Sequence, residues 1–176
     1  MNLELIPNTD SLLLTETFKV DFSNPPFDIV EFSESLVKAM LEKRGIGLSA
    51  NQVGYNYSVF AMRGSPEHFV CFNPRIVQPS TEMIELEEGC LSYPGLVIAV
   101  NRPRHIRMRF QAPNGETFTK TFSDMTARAV QHEMQHLKGK PFWEGVSKLK
   151  FDRAIKKAKK RGYDYSHLTY KGINNG

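Results

Sequence analysis

Residues 131–139 read Gln-His-Glu-Met-Gln-His-Leu-Lys-Gly, and within them His132, Glu133 and His136 form a His-Glu-x-x-His pattern. No other stretch constrains the fold as much. Four residues is just over one helical turn, so the segment has to be helical for both imidazoles to leave one face and share a metal ion. Glu133 then stands beside them, able to reach a water on that metal without ligating it, which points to metal-assisted hydrolysis. The plainer reading is a polar surface helix that happens to carry two histidines. Against it, Ser123-Asp124-Met125-Thr126-Ala127-Arg128-Ala129-Val130 supplies a Ser or Asp N-cap and then Met125, Ala129 and Val130 at helical spacing, which predicts an amphipathic, partly buried helix. Buried imidazoles without partners are costly, and neutral ones are good ligands.

A catalytic site of this kind takes three protein ligands and keeps one position open. The long metalloprotease pattern keeps its glycine here as Gly139, but Phe142 stands where its third histidine belongs. Glu144 and His167, the other downstream candidates, fit a turn and a polar tail more simply, so the third ligand is expected upstream. Of the two cysteines, Cys71 in Phe69-Val70-Cys71-Phe72 reads as a buried strand thiol. Cys90, in Glu88-Gly89-Cys90-Leu91-Ser92, falls in a glycine-containing bend where a thiolate is well placed for a metal. A disulfide between them is the competing account, and two cysteines without an export signal favour reduced thiols.

Three separated segments, Gly45-Ile46-Gly47-Leu48-Ser49-Ala50-Asn51-Gln52, Glu88-Gly89-Cys90-Leu91-Ser92 and Gln131-His132-Glu133-Met134-Gln135-His136-Leu137-Lys138-Gly139, resemble in order and spacing the signature motifs of the peptide deformylases. The likeness covers about residues 25–150, with Arg102-Pro103, Asn114-Gly115 and Ala127-Arg128 similar to the connecting sequence. The first two dozen residues and those beyond Arg161 carry no signature.

The resemblance implies a mononuclear site with Cys90, His132 and His136 as ligands and a water or hydroxide in the fourth place, in a hydrolase that removes formyl groups from N-formylmethionine on nascent peptides. Glu133 would take a proton as hydroxide attacks and return it to the departing amine. By the same likeness the Gln52 amide and the Leu91 backbone N–H would stabilise the oxyanion, each such donor being worth about 3 to 4 kcal/mol. Ile46 and Gly89 would complete a methionine pocket with Met125 and Ala129, although helical spacing alone equally reads Met125 and Ala129 as core. Gly45 reads as a helix C-cap at the edge of that pocket, and Gly47 as a place where substrate backbone approaches closely. One divalent ion per chain is implied. Ligand softness suits Zn²⁺ or Fe²⁺, and the resemblance favours Fe²⁺, with Ni²⁺, Co²⁺ or Zn²⁺ as other occupants.

Two positions depart from the family pattern. Gln135 replaces an acidic residue common there, a charge expected to pair with an arginine, Arg102 being the candidate; local stability or the tuning of His136 is open to change, while activity is expected to survive because Gln can still hydrogen-bond. Ser49 stands where alanine is common and puts little in doubt.

The 176 residues suit a single domain over 1–176, and with no basic leader or long apolar run a cytoplasmic, membrane-free protein and a monomer are expected. Ser23-Asn24-Pro25-Pro26 resembles a helix start, followed by an apolar face of Val30, Leu36, Val37, Met40 and Leu41 up to Gly45. Strand patterns follow at 58–62, at 83–86 and where Ile106, Met108 and Phe110 alternate with Arg107 and Arg109, with Asn114-Gly115 as a hairpin before Thr117-Phe118-Thr119. Together these predict an α+β fold, antiparallel sheets wrapped around a central helix that carries the His-Glu-x-x-His motif, with a basic C-terminal helix over 147–161 and a polar tail over 162–176.

Residues 148–161 hold eight Lys or Arg and one Asp, a net of +7, against −3 for the rest of the chain. That run is either a solvated face or a surface that docks on ribosomal RNA. Two other functions remain beside deformylation: another metal-dependent amidase or peptidase, and a catalytically silent metal- or peptide-binding domain. The cysteine ligand argues against the first, and the presence of both Glu133 and Gln52 against the second.

Overall fold

The computed structural model describes residues 1–173; Asn174, Asn175 and Gly176, the end of the expected polar tail, lie outside the described residues. The chain is α+β. In order it forms α1 (Ile29–Glu42), β1 (Gly47–Ser49), β2 (Val59–Met62), β3 (Phe69–Pro79), β4 (Met83–Cys90), β5 (Tyr93–Pro103), β6 (His105–Gln111), β7 (Thr117–Ser123), α2 (Asp124–Leu137), α3 (Lys148–Lys160), β8 (Leu168–Thr169) and β9 (Gly172–Ile173). The strands pair antiparallel as a five-stranded sheet in the order β1-β2-β3-β6-β7 and as the hairpins β4-β5 and β8-β9.

Helix α1 begins later than Ser23-Asn24-Pro25-Pro26 suggests. Asp28 is the N-cap, its carboxylate accepting from Glu31 N at 2.8 Å, and Phe27 just before it stacks on Phe32 with ring centroids 4.2 Å apart. Carboxylate cap and hydrophobic staple together outweigh the proline signal. The shifted start turns Val30 to solvent, 59% exposed, and the buried stripe runs through Phe32, Leu36, Ala39 and Met40. At the other end Gly45 is not the left-handed residue. Arg44 is, with φ 56°, while Arg44 N donates to Leu41 O and Gly45 N to Met40 O in a Schellman closure. Gly45 is fixed by space, since a Cβ there would lie 2.8 Å from Leu91 Cδ1.

Strand β6 shows the expected alternation: Ile106, Met108 and Phe110 are buried and Arg107 and Arg109 exposed. Asn114-Gly115 turns the chain into β7, with Gly115 at φ 83° and Ala112 N donating to Glu116 O. Helix α2 lays Ala127, Val130, Met134 and Leu137 on the inner face of the five-stranded sheet, against Phe60, Met62, Met108 and Phe110. Ser123 is its N-cap, but no side-chain hydrogen bond caps the helix; Asp124 at φ 51° instead pairs with Arg104 at 2.8 Å. Gly139, at φ 63°, closes α2 in a second Schellman motif, with Lys140 N donating to Gln135 O.

Both segments without a sequence signature belong to the core. Leu3, Leu13 and Val20 are buried, and Ile6 N donates to Gln52 O at 3.0 Å. Beyond Gly162 the chain is less of a polar tail than expected. Tyr165 and Leu168 are buried, the Tyr165 hydroxyl donates to Pro94 O at 2.6 Å, and Trp143 Nε1 donates to Thr169 O. Between them, α3 buries Phe151, Ala154 and Ala158 and leaves its lysines in solvent. No helix among the described residues is long and apolar enough to cross a membrane.

Candidate metal centre

Cys90 is the last residue of β4 and pairs with Tyr93 across a two-residue turn, Leu91-Ser92, while a register shift falls between Glu88 and Cys90. The bend therefore follows the cysteine, and Gly89 sits at the irregularity before it. This hairpin end lies over the histidine face of α2. One ligand atom each from Cys90, His132 and His136 lies within 4.8 Å of the other two, and Cys90 Sγ is 3.2 Å from His136 Nε2. Cys71 is buried in β3, part of the apolar cluster between the sheet and α2.

The surroundings fit a cation. Burial holds both histidines below their ordinary pKa, His136 strongly, so both are neutral imidazoles with lone pairs to offer. Burial, reinforced by the Glu133 charge, pushes the Cys90 thiol up to about 12, so a thiolate there calls for a positive charge at the sulfur. Glu133 Oε2 is buried with no hydrogen-bond partner in the protein, and burial, opposed by the nearby Ser49 hydroxyl and aided a little by repulsion from Glu88, lifts its carboxyl to about 8. Three soft and borderline donors in the neighbourhood of a buried carboxylate with one unpartnered oxygen are the donor chemistry of a catalytic divalent site.

Sequence reasoning missed the group that organises this centre. Glu88 Oε2 lies 3.1 Å from His132 Nδ1, which leaves Nε2 of that ring for the cluster. The same carboxylate accepts from Arg102 Nε at 2.6 Å, from Arg102 Nη2 at 2.7 Å and from Arg128 Nη1 at 2.6 Å. Burial pushes its carboxyl up, but hydrogen bonds from Arg102 and His132 outweigh that and hold it down at about 2. Arg102 also donates to Gln135 Oε1 at 2.7 Å, the arginine contact expected of position 135.

Gln52 is oriented from behind. Its Oε1 accepts from Ser49 N at 3.0 Å and lies 2.9 Å from Ser49 Oγ, while its Nε2 donates to Ser92 Oγ at 2.9 Å and lies 3.5 Å from Cys90 Sγ. Ser49 thus fixes which end of the amide faces the cysteine turn, a larger part than its size suggested. Asn51 Nδ2 donates to His136 O at 2.7 Å and ties this segment to α2.

A cavity of 380 Å³ opens beside the cluster, and Gly45, Ile46, Gly47, Gly89, Met125 and Ala129 all line it, as do Gln52, Leu91 and Glu133. Met125 and Ile46 are 55% and 53% exposed, so Met125 is a wall of this cavity rather than core. At Gly47 the close neighbour is Glu133, because a Cβ there would lie 2.5 Å from its Oε1. That contact is a second reason for a glycine here, beside the close approach of substrate backbone expected along this cavity wall.

A family model described as polypeptide deformylase matches residues 3–152, taking in the N-terminal segment that carried no sequence signature. A peptide deformylase of Caulobacter sp. (strain K31) is 40% identical over 134 residues, covering 72% of this chain and 76% of that protein. One from Wolbachia pipientis wMel is 33% identical over 171 residues, covering 90% and 94%. Among solved structures, a Synechococcus elongatus peptide deformylase in complex with actinonin superposes with a TM-score of 0.82 at 28% identity, covering 93% of this chain and 87% of that one. A Legionella pneumophila peptide deformylase gives 0.82 at 27% identity, covering 92% and 96%.

Proposed function

The chain belongs to the peptide deformylase family, metal-dependent hydrolases that take the formyl group from N-formylmethionyl peptides and release formate, and from that premise we propose how its own residues divide the work. Cys90 Sγ, His132 Nε2 and His136 Nε2 are the ligands. The observation that carries this reading is the convergence of those three residues within 4.8 Å beside the buried Glu133 carboxylate. Fe²⁺ is the favoured occupant, with Zn²⁺, Ni²⁺ or Co²⁺ able to replace it on donor chemistry. Held by these three residues, the ion would supply Lewis-acid chemistry, making a water more acidic and a carbonyl more electrophilic.

Glu133 holds the proton in transit. Its carboxyl, which burial lifts well above the usual carboxylate range and so makes a stronger base, accepts a proton from the attacking water and releases it to the departing amine nitrogen, serving first as base and then as acid. The Gln52 NH₂ and the Leu91 backbone N–H donate to the former carbonyl oxygen as it gains charge. The formylmethionine side chain packs against Ile46, Met125 and Ala129, with Gly45 and Gly89 leaving room along the walls. Residues 1–176 act as one catalytic domain, as a monomer, in the cytoplasm. The exposed lysines of α3 dock on ribosomal RNA; because α3 buries Phe151, Ala154 and Ala158, charge reversal at Lys156, Lys157 and Lys160 tests this more cleanly than removing the helix.

Formate release from a formyl-Met tripeptide, with bound metal quantified, should be rapid for the wild type and lower by at least about a hundredfold for Glu133→Ala at unchanged metal content. Full turnover by a metal-loaded Glu133→Ala enzyme would overturn the assignment.

A further inference from the structure

The face of the five-stranded sheet opposite α2 is packed by α1 over β1, β2 and the start of β3, and its outer part over the rest of β3, β6 and β7 carries a cluster of arginines that the catalytic site does not use. Arg107 and Arg109 leave β6 on this side, and Arg75 of β3 stands directly opposite Arg109 in the antiparallel register. Like charges in that relation destabilise a sheet, so their presence has to be explained. On β7, Thr119 is opposite Arg109 and Thr121 opposite Arg107, which gives each of these arginines a hydroxyl neighbour. All five side chains are exposed, and among the described residues Arg75, Arg107 and Arg109 form no salt bridge. Arg104 on the same edge differs: it is neutralised by Glu82 and Asp124.

The face also has depth. A concavity of 520 Å³ lies at its end, lined by Arg75 and Arg109 together with Lys19, Gln111 and Thr117, and its lining includes no acidic residue. Gln111 accepts from Asn73 through its oxygen, which leaves its NH₂ as a donor.

We propose that this outer sheet face, built on Arg75, Arg107 and Arg109, binds the phosphate backbone of helical RNA. Guanidinium forks match phosphate oxygens two at a time, and threonine hydroxyls and amide NH₂ groups are common partners of the same oxygens. Sheet platforms that read single strands present aromatic rings to the bases. Here Phe118 and Phe122 lie on the opposite face, paired with Phe110 and Ile106, so backbone contact without base reading is what the face offers. A lipid surface fits less well, because Val77 is the one large apolar side chain exposed on β3, β6 and β7 among the described residues. RNA rather than DNA follows from the proposed substrate: nascent peptides emerge from a particle whose surface is largely RNA phosphate. In that one respect the inference rests on the functional reading above.

The test is fluorescence anisotropy of the metal-loaded enzyme with a labelled RNA duplex of about 20 base pairs, titrated at several salt concentrations. The triple substitution Arg75→Gln, Arg107→Gln, Arg109→Gln should weaken binding uniformly across sequences and make the slope of log K against log salt shallower by roughly three, about one per arginine. Formate release and melting temperature should be unchanged or, for melting, slightly higher, since like-charge repulsion is removed. A parallel Lys156→Gln, Lys157→Gln, Lys160→Gln variant measures any share due to α3. Unchanged affinity and slope in the arginine variant would overturn the proposal, as would loss of all duplex binding in the α3 variant with the arginines intact. Tighter binding to vesicles of anionic lipid than to the duplex would do so too. Failure of formate release in the wild type with arginine-dependent duplex binding preserved would strike the catalytic reading and leave this surface standing.

Discussion

Glu88 Oε2 sits 3.1 Å from His132 Nδ1, and through this contact one buried carboxylate orients the ring of a proposed metal ligand while neutralising two guanidiniums. The β4 hairpin and α2 are thereby fixed to one another, because Arg102 comes from β5 and Arg128 from α2. Replacing Glu88 with Gln should weaken metal affinity about ten- to a hundredfold, as is usual when the partner of a ligating histidine is lost. It also leaves two buried guanidiniums without a carboxylate, at a cost on the order of 3 kcal/mol in stability. Metal titration and thermal unfolding of the purified variant measure both. Wild-type affinity together with wild-type melting would remove Glu88 from this position.

The same residue predicts an acid limit. Its folded pKa of about 2 lies below the ordinary 4.5, so the stabilisation is fully present above about pH 4.5 and is lost as pH falls toward 2. The difference corresponds to roughly 3 kcal/mol. In the metal-free protein, where loss of the ion does not contribute, stability should fall more steeply across that window for wild type than for Glu88→Gln. Parallel curves would show that the carboxylate is not held down.

Position 135 gives a prediction of opposite sign. The cluster holds Arg102 and Arg128 against the single carboxylate of Glu88, and Gln135 meets Arg102 only as a neutral acceptor. Gln135→Asp supplies a second negative charge where Arg102 already donates, and should raise stability by about 1 kcal/mol if the shorter side chain keeps the contact. Turnover should change less than about tenfold, since the ligating atoms are untouched. A hundredfold gain in formate release would mean that Gln135 limits the chemistry itself.

The parts of this site that could be read from the sequence were those with a local period. His132, Glu133 and His136 follow from helix geometry, and β6 from the alternation of Ile106, Met108 and Phe110 with arginine. Cys90 could be favoured by its setting, but its pairing with the histidines needed a resemblance, because no local rule links residues more than forty positions apart. Glu88 was overlooked because it stands in the run Glu85-Leu86-Glu87-Glu88, which by composition reads as solvated, whereas the fold buries only Glu88 of its three glutamates. Gly45 misled in a different way. Propensity assigns the left-handed cap to glycine, yet Arg44 takes that conformation, and the missing side chain at Gly45 makes room for Leu91.

Ser49 and Gln52 allow orientation of the amide to be tested apart from the chemistry proposed for it. The Gln52 oxygen is held by both the backbone N–H and the hydroxyl of Ser49, and the N–H remains when the hydroxyl is removed. Ser49→Ala should therefore keep turnover within about threefold of wild type and cost about 1 kcal/mol in stability for the lost buried hydrogen bonds. Gln52→Leu removes the donor itself and should lower kcat by about a hundredfold to a thousandfold with little change in KM. Equal losses of kcat in the two variants would show that the hydroxyl, rather than the amide, serves the reaction.

Gly47→Ala tests the closeness of β1 to Glu133, the proposed proton carrier. The added methyl carbon would stand 2.5 Å from Glu133 Oε1, so either the strand or the carboxylate has to move. Strand β1 is held by its register with β2, Gly47 opposite Met62 and Ser49 opposite Phe60, and its neighbours Leu48 and Ser49 are fully buried. The carboxylate is the softer partner, and displacing it by about 1 Å from its productive position costs on the order of a hundredfold in rate. Metal content should stay at wild-type level, since Gly47 contacts no proposed ligand. Formate release at the wild-type rate from a folded, metal-loaded Gly47→Ala enzyme would show that Glu133 does not need the position in which β1 confines it.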